Sequence, residues 1–140
     1  CFSALATPPP PGADRVRPVT DPGEAGRLAA FELEWQGIHR EPDYDFFLRN
    51  TVGAWRVWVL ENAAGALEGF LVASHHPSCV MLGPGVARDE TAAAALLWRA
   101  LDALRRAHDG PGGPAHDELR RAHWTTMMML AELGGVPDPD

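Results

Sequence analysis

Trp55-Arg56-Val57-Trp58-Val59-Leu60, Leu67-Glu68-Gly69-Phe70-Leu71-Val72-Ala73-Ser74 and Cys79-Val80-Met81-Leu82 are the segments that decide the fold. Each is short and rich in the β-branched, aromatic and aliphatic side chains that suit a pleated, half-buried surface. Glu61-Asn62-Ala63-Ala64-Gly65 reads as a turn, so 55–60 and 67–74 form an antiparallel hairpin. His75-His76-Pro77 turns the chain again, and a third short strand, 79–83, ends in Gly83-Pro84-Gly85.

Downstream, residues 89–107 read as a long helix. Ala93, Leu97, Leu101 and Leu104 line one face, while Arg99, Asp102 and Arg106 line the other. Gly and Pro make 109–114 a loop, and 117–133 reads as a last helix closed by Gly134-Gly135 and Pro137. Upstream, Arg15–Thr20 alternates polar and apolar residues, a strand that Pro18 confines to an edge or an end. Asp21 as N-cap, Pro22 at N1 and Glu24 at N3 start a helix over 22–38, with Leu28, Phe31, Trp35 and Ile38 as its apolar stripe. Glu41-Pro42-Asp43 breaks it and opens a shorter helix over 43–50. The resulting order, βααβββα–loop–α, predicts an α+β, three-layer fold with a mixed, mostly antiparallel sheet flanked by helices.

The chain of 140 residues fits one domain, placed at 15–135. With 46% hydrophobic and 22% charged residues it can build a core, which sets aside general disorder. Residues 1–14, with four consecutive prolines, are expected to be a disordered leader, and 136–140 a tail. A net charge of −7 argues against a nucleic-acid surface, which needs a concentrated basic face. The same acidity keeps a protein soluble and would suit a cationic amine. All twelve basic residues are arginine, which reads as coding bias. Cys1 and Cys79 have no metal-type neighbours at short spacing, so neither a disulfide framework nor a zinc site is expected. The start at Cys1 fits a fragment, or a processed and lipidated terminus. No apolar run is long enough to span a bilayer, so no membrane segment is expected and the cytoplasm is the default location.

One local pattern carries more information than the rest. Arg88-Asp89-Glu90-Thr91-Ala92-Ala93-Ala94-Ala95-Leu96-Leu97 resembles the loop of GNAT-type N-acetyltransferases, R/Q-x-x-G-x-G/A followed by a leucine pair. Gly69–Ser74 is similar to the third strand of that family, and the element order over 15–107 matches its first two-thirds. The resemblance implies acetyl-CoA as co-substrate and an amine as acceptor, joined by direct attack in a ternary complex. It implies that Arg88, Asp89, Glu90, Thr91, Ala92 and Ala93 hold the pyrophosphate at a helix N-terminus, where free N–H groups and the helix dipole favour an anion. Met81, Leu82, Gly83 and Val86 would offer main-chain groups to the pantetheine arm. Three departures stand beside it. Thr91 and Ala93 replace the family's glycines; Asp89 and Glu90, ordinary in a helix first turn, would repel phosphate; and residues 107–116 contain no fifth strand. The tyrosine this family often uses as an acid would fall near Leu130, whereas the chain's only tyrosine is Tyr44. A non-catalytic GNAT-like module, part of a larger or truncated protein, is therefore the alternative. The missing strand also leads us to expect a homodimer or a tandem partner domain.

No catalytic residue is assigned by the sequence. Glu41, Asp43, Asp45 and His75 are the candidate bases, with Glu41 and His75 retained. His75 and His76 are adjacent on a strand and point to opposite faces, and His116 and His123 are two helical turns apart, so no metal site is expected. Met127-Met128-Met129 and the tryptophans read as core filling.

Overall fold

The structure, a computed structural model, describes residues 8–76 and 79–108. Strands β1 (Val16–Val19), β2 (Trp55–Glu61), β3 (Leu67–His76) and β4 (Cys79–Ala87) form a sheet in that spatial order, each antiparallel to the next. Helices α1 (Ala25–Gln36) and α2 (Glu41–Arg49) lie between β1 and β2 in sequence, and α3 (Glu90–His108) follows β4. This is the α+β arrangement expected. Every pairing seen is antiparallel, whereas a mixed sheet was anticipated.

The alternation of side chains builds two cores. Val57, Val59, Phe70 and Val72 pack with Leu28, Phe31, Tyr44 and Leu48 of α1 and α2. Their neighbours Trp58, Leu60, Leu71 and Ala73 pack with Leu96, Leu97, Leu101 and Leu104 of α3. Both faces of the central strands are covered, which is why 57–60 and 70–73 read as continuous apolar runs. Gly69 permits the tightest approach: a Cβ there would meet Leu96 Cδ1 and the Val86 carbonyl oxygen, each at 2.8 Å.

Several expectations are corrected. The third strand does not end at Gly83-Pro84-Gly85 but continues to Ala87. Leu71 pairs with Gly85 and Ala73 with Leu82, so β4 carries one extra residue, a bulge that absorbs the Gly-Pro-Gly segment. The bulge also reverses side-chain facing: Leu82 packs toward α3, Val86 toward α1 and α2. His75-His76 belongs to β3 and not to a turn. Asp21 does accept a hydrogen bond from Gly23 N at 2.9 Å, but it caps a short 3-10 turn, Pro22–Glu24, ahead of α1. Gly37, with φ 70°, closes α1 before Ile38. Trp35 and Ile38 are accordingly 49% and 42% exposed, so the outer half of the expected stripe is not core. Pro42 sits in the first turn of α2, where a missing N–H costs nothing, and the helix starts two residues earlier than expected. Asp102, expected on the solvent side of α3, is buried and paired with Arg105 and Arg106.

Ala13, expected in the leader, is fully buried in a 3-10 turn, Ala13–Arg15. Its carbonyl accepts from Arg99 Nη2 at 2.8 Å and Nε at 3.2 Å, so the ordered chain begins before residue 15. The loop at 109–114, the helix at 117–133, His116, His123, the methionine run, Cys1, Trp124 and the tail lie outside the described residues. No helix among the described residues is long and apolar enough to cross a membrane.

Candidate functional site at the start of the third helix

β4 leaves the sheet through Arg88. Its N–H donates to the Glu68 carbonyl at 2.9 Å, prolonging the β3–β4 ladder by one residue. The guanidinium stands 3.7 Å from Glu68, with the side chain 51% exposed. Glu68 is shared, since Arg15 lies 3.6 Å from its other oxygen. Asp89 then caps α3: its Oδ1 accepts from Ala92 N at 2.8 Å and its carbonyl from Ala93 N at 3.0 Å. An aspartate at this position satisfies a helix's orphan donors and complements its dipole.

An open depression of about 490 Å³ lies over this turn, lined by Ala87, Arg88, Asp89, Glu90 and Thr91. The expected pyrophosphate residues therefore divide. Arg88, Asp89, Glu90 and Thr91 are exposed at the depression, whereas the Ala92 and Ala93 side chains are buried beneath it. Of the N–H groups expected to be free, those of Ala92 and Ala93 are already taken by Asp89. The N–H groups of Asp89, Glu90 and Thr91 keep the role foreseen for the first turn.

The pantetheine set lies along β4. Leu82 and Val86 bury their side chains in opposite cores, Gly83 has φ 122° with open space where a Cβ would be, and Met81 is 50% exposed. Among the described residues no strand pairs with the outer side of β4, so its main chain there is not taken by the sheet.

The candidate bases are not brought together. His75 lies opposite Val80 at the other end of β3, its N–H donating to the Ala54 carbonyl. Seven residues separate it from Glu68, roughly 23 Å at about 3.3 Å per residue. Glu41 is exposed at the start of α2, against Gly26 of α1. Asp45 is paired with Arg49 at 2.7 Å. No group of three His, Cys, Asp or Glu residues suited to a metal occurs among the described residues.

The sequence reading missed one polar cluster. Glu32, 0% exposed, lies between Arg40 Nη2 at 2.5 Å and the Tyr44 hydroxyl, which donates to it. Burial pushes the Glu32 carboxyl up, but hydrogen bonds from Arg40 and Tyr44 outweigh it and hold the group below its usual value. Burial, then the bond to Glu32, holds the Tyr44 phenol well above its ordinary value. The available signal was the spacing of Glu32, one helical turn after Leu28 on the core face of α1. This cluster ties α1 to α2 and is not at the Arg88 turn.

Comparison with known proteins finds no family model that matches the chain, no similar curated protein and no similar solved structure.

Proposed function

We propose that the chain is an acyl-CoA-dependent N-acyltransferase domain of the GNAT type, with its cofactor-binding turn at Arg88–Thr91. One observation carries this reading: a bulged outer strand leads through a half-exposed arginine into the start of α3, beneath an open depression. The residues fit an anion in part. Arg88 and the N–H groups of Asp89, Glu90 and Thr91 would hold the pyrophosphate, and the main chain of Met81–Val86 would align the pantetheine arm. The co-substrate would bring a thioester acyl group, and an amine would be its acceptor. A second reading, a module that binds without catalysis, is favoured by the Asp89 cap, which puts a carboxylate where the phosphates would dock.

Titration calorimetry of CoA and acetyl-CoA tests both. Arg88→Ala should weaken CoA about ten- to hundredfold, as loss of a charged hydrogen bond would. Thr91→Gly should be tolerated or tighten binding. Asp89→Asn should tighten CoA yet slightly destabilise the helix, because asparagine keeps the cap but loses the charge that complements the dipole. CoA binding without acyl transfer to any amine would select the non-catalytic module. No heat of binding at millimolar CoA would sink the acyltransferase reading and leave the non-catalytic module.

A further inference from the structure

Arg27, Phe31, Glu34 and Trp35 recur at helical spacing on one face of α1. Between that face and the sheet lies an open depression of about 450 Å³, lined by these four residues together with Leu67 and Arg88 among others. Its volume is within the range of about 300–1,000 Å³ typical of small-molecule sites. Arg88 also lines the depression over the α3 turn, so the two meet at this residue. Strand alternation agrees with that placement. Val86 packs toward α1 and α2 and Ala87 toward α3, so Arg88, one residue on, returns to the α1 side.

The charged groups here are unequally committed. Arg27 is engaged by Glu24 at 3.3 Å and Glu61 at 2.8 Å. Arg88 has only Glu68, at 3.7 Å, and its side chain is half exposed. Trp35 is half exposed as well, its ring centroid 5.9 Å from that of the buried Phe31. Glu34, exposed on the same helix face, makes no hydrogen bond or ion pair among the described residues. A guanidinium holds a phosphate, and an indole takes a planar base on its π-face. An unengaged carboxylate is an acceptor only, suited to an exocyclic amino group. Phosphate, planar base and amino group together describe an adenine nucleotide.

We infer that this depression holds the adenosine end of CoA, with the phosphates on Arg88, the adenine ring on Trp35 and the adenine amino group on Glu34. The inference rests on the acyl-CoA reading and extends its site from the α3 turn onto α1. The test is calorimetry of the full chain with CoA, its hypoxanthine analogue and phosphopantetheine. Trp35→Ala should weaken CoA about tenfold and leave phosphopantetheine unchanged, because the shorter ligand has no base to stack. Trp35→Phe should recover most of the loss, since it restores an aromatic face. Wild type should prefer CoA to the hypoxanthine analogue about fivefold, because the analogue turns a carbonyl oxygen toward the carboxylate. Glu34→Ala should abolish that preference, whatever it does to overall affinity. CoA binding that Arg88→Ala weakens and Trp35→Ala leaves untouched would overturn this inference while the acyl-CoA reading stands. Equal losses of CoA and phosphopantetheine in Trp35→Ala, or a base preference that survives in Glu34→Ala, would overturn it too. No binding of CoA to wild type would overturn the inference and the acyl-CoA reading together.

Discussion

Replacing Glu32 by Gln would leave the Arg40 guanidinium beside an uncharged amide in a site closed to water on the carboxylate side. Breaking a buried pair from one side costs about 3–5 kcal/mol, and partial solvation of Arg40 places this variant near the lower end, about 3 kcal/mol. Tyr44→Phe removes one hydrogen bond and leaves the ion pair, so about 1 kcal/mol is expected. Urea unfolding of both variants measures the difference. The same residue sets a pH dependence. The folded Glu32 carboxyl lies below its unfolded value of about 4.3. Its contribution is therefore complete above that pH and is lost as pH falls through the lower folded value. Glu61 adds to this effect, lowered by hydrogen bonds from Arg17 and then Arg27. Wild type should lose stability steeply on acidification below about pH 4, and Glu32→Gln less steeply. Identical slopes in wild type and variant would show that Glu32 is not ionised in the folded protein.

At the level of elements, the fit between α3 and the sheet rests on contrasting residues. Leu101 fills the core beneath α3, so Leu101→Ala should cost about 2–5 kcal/mol. Gly69→Ala adds only a methyl group, yet one of its clashes is with backbone, the Val86 carbonyl, which cannot swing aside. A loss of about 1–3 kcal/mol is expected, seen as a lower thermal midpoint with the fold retained. Much of this layering was legible in the sequence. The runs at 57–60 and 70–73 are strands because both faces meet helices, and Leu97, Leu101 and Leu104 lie on one face by spacing alone. The continuation of β4 was not legible. Gly-Pro-Gly ends a strand by every local rule, and only pairing with β3 shows that one extra residue can be absorbed. Trp35 and Ile38 satisfied the helical period, but which part of a stripe is covered depends on how far its neighbours extend. At the candidate site, the start of α3 at Glu90, just after Arg88, was legible from the helical spacing. What local pattern could not reveal was that the Asp89 side chain would take the Ala92 N–H, since a first-turn carboxylate can equally face solvent.

Over the whole molecule, the sheet is a sequence of antiparallel neighbours, so most of its pairing joins residues close in the chain. The bond from Arg99 to the Ala13 carbonyl is different, joining residues 86 apart. It holds the entry to β1 against the middle of α3, the two ends of the described fold. Closing so large a loop has an entropic cost that is best met after the intervening hairpins exist. This clasp should accordingly be absent from the rate-limiting barrier and form on its downhill side. Stopped-flow measurements on Arg99→Ala should show refolding at the wild-type rate and unfolding about fivefold faster, as loss of roughly 1 kcal/mol beyond the barrier requires. A slowed refolding limb would instead place the clasp in the nucleus. If the acceleration is confined to unfolding, the Arg99–Ala13 bond is a latch on the lifetime of the native state, setting how long the fold persists and not how quickly it is reached.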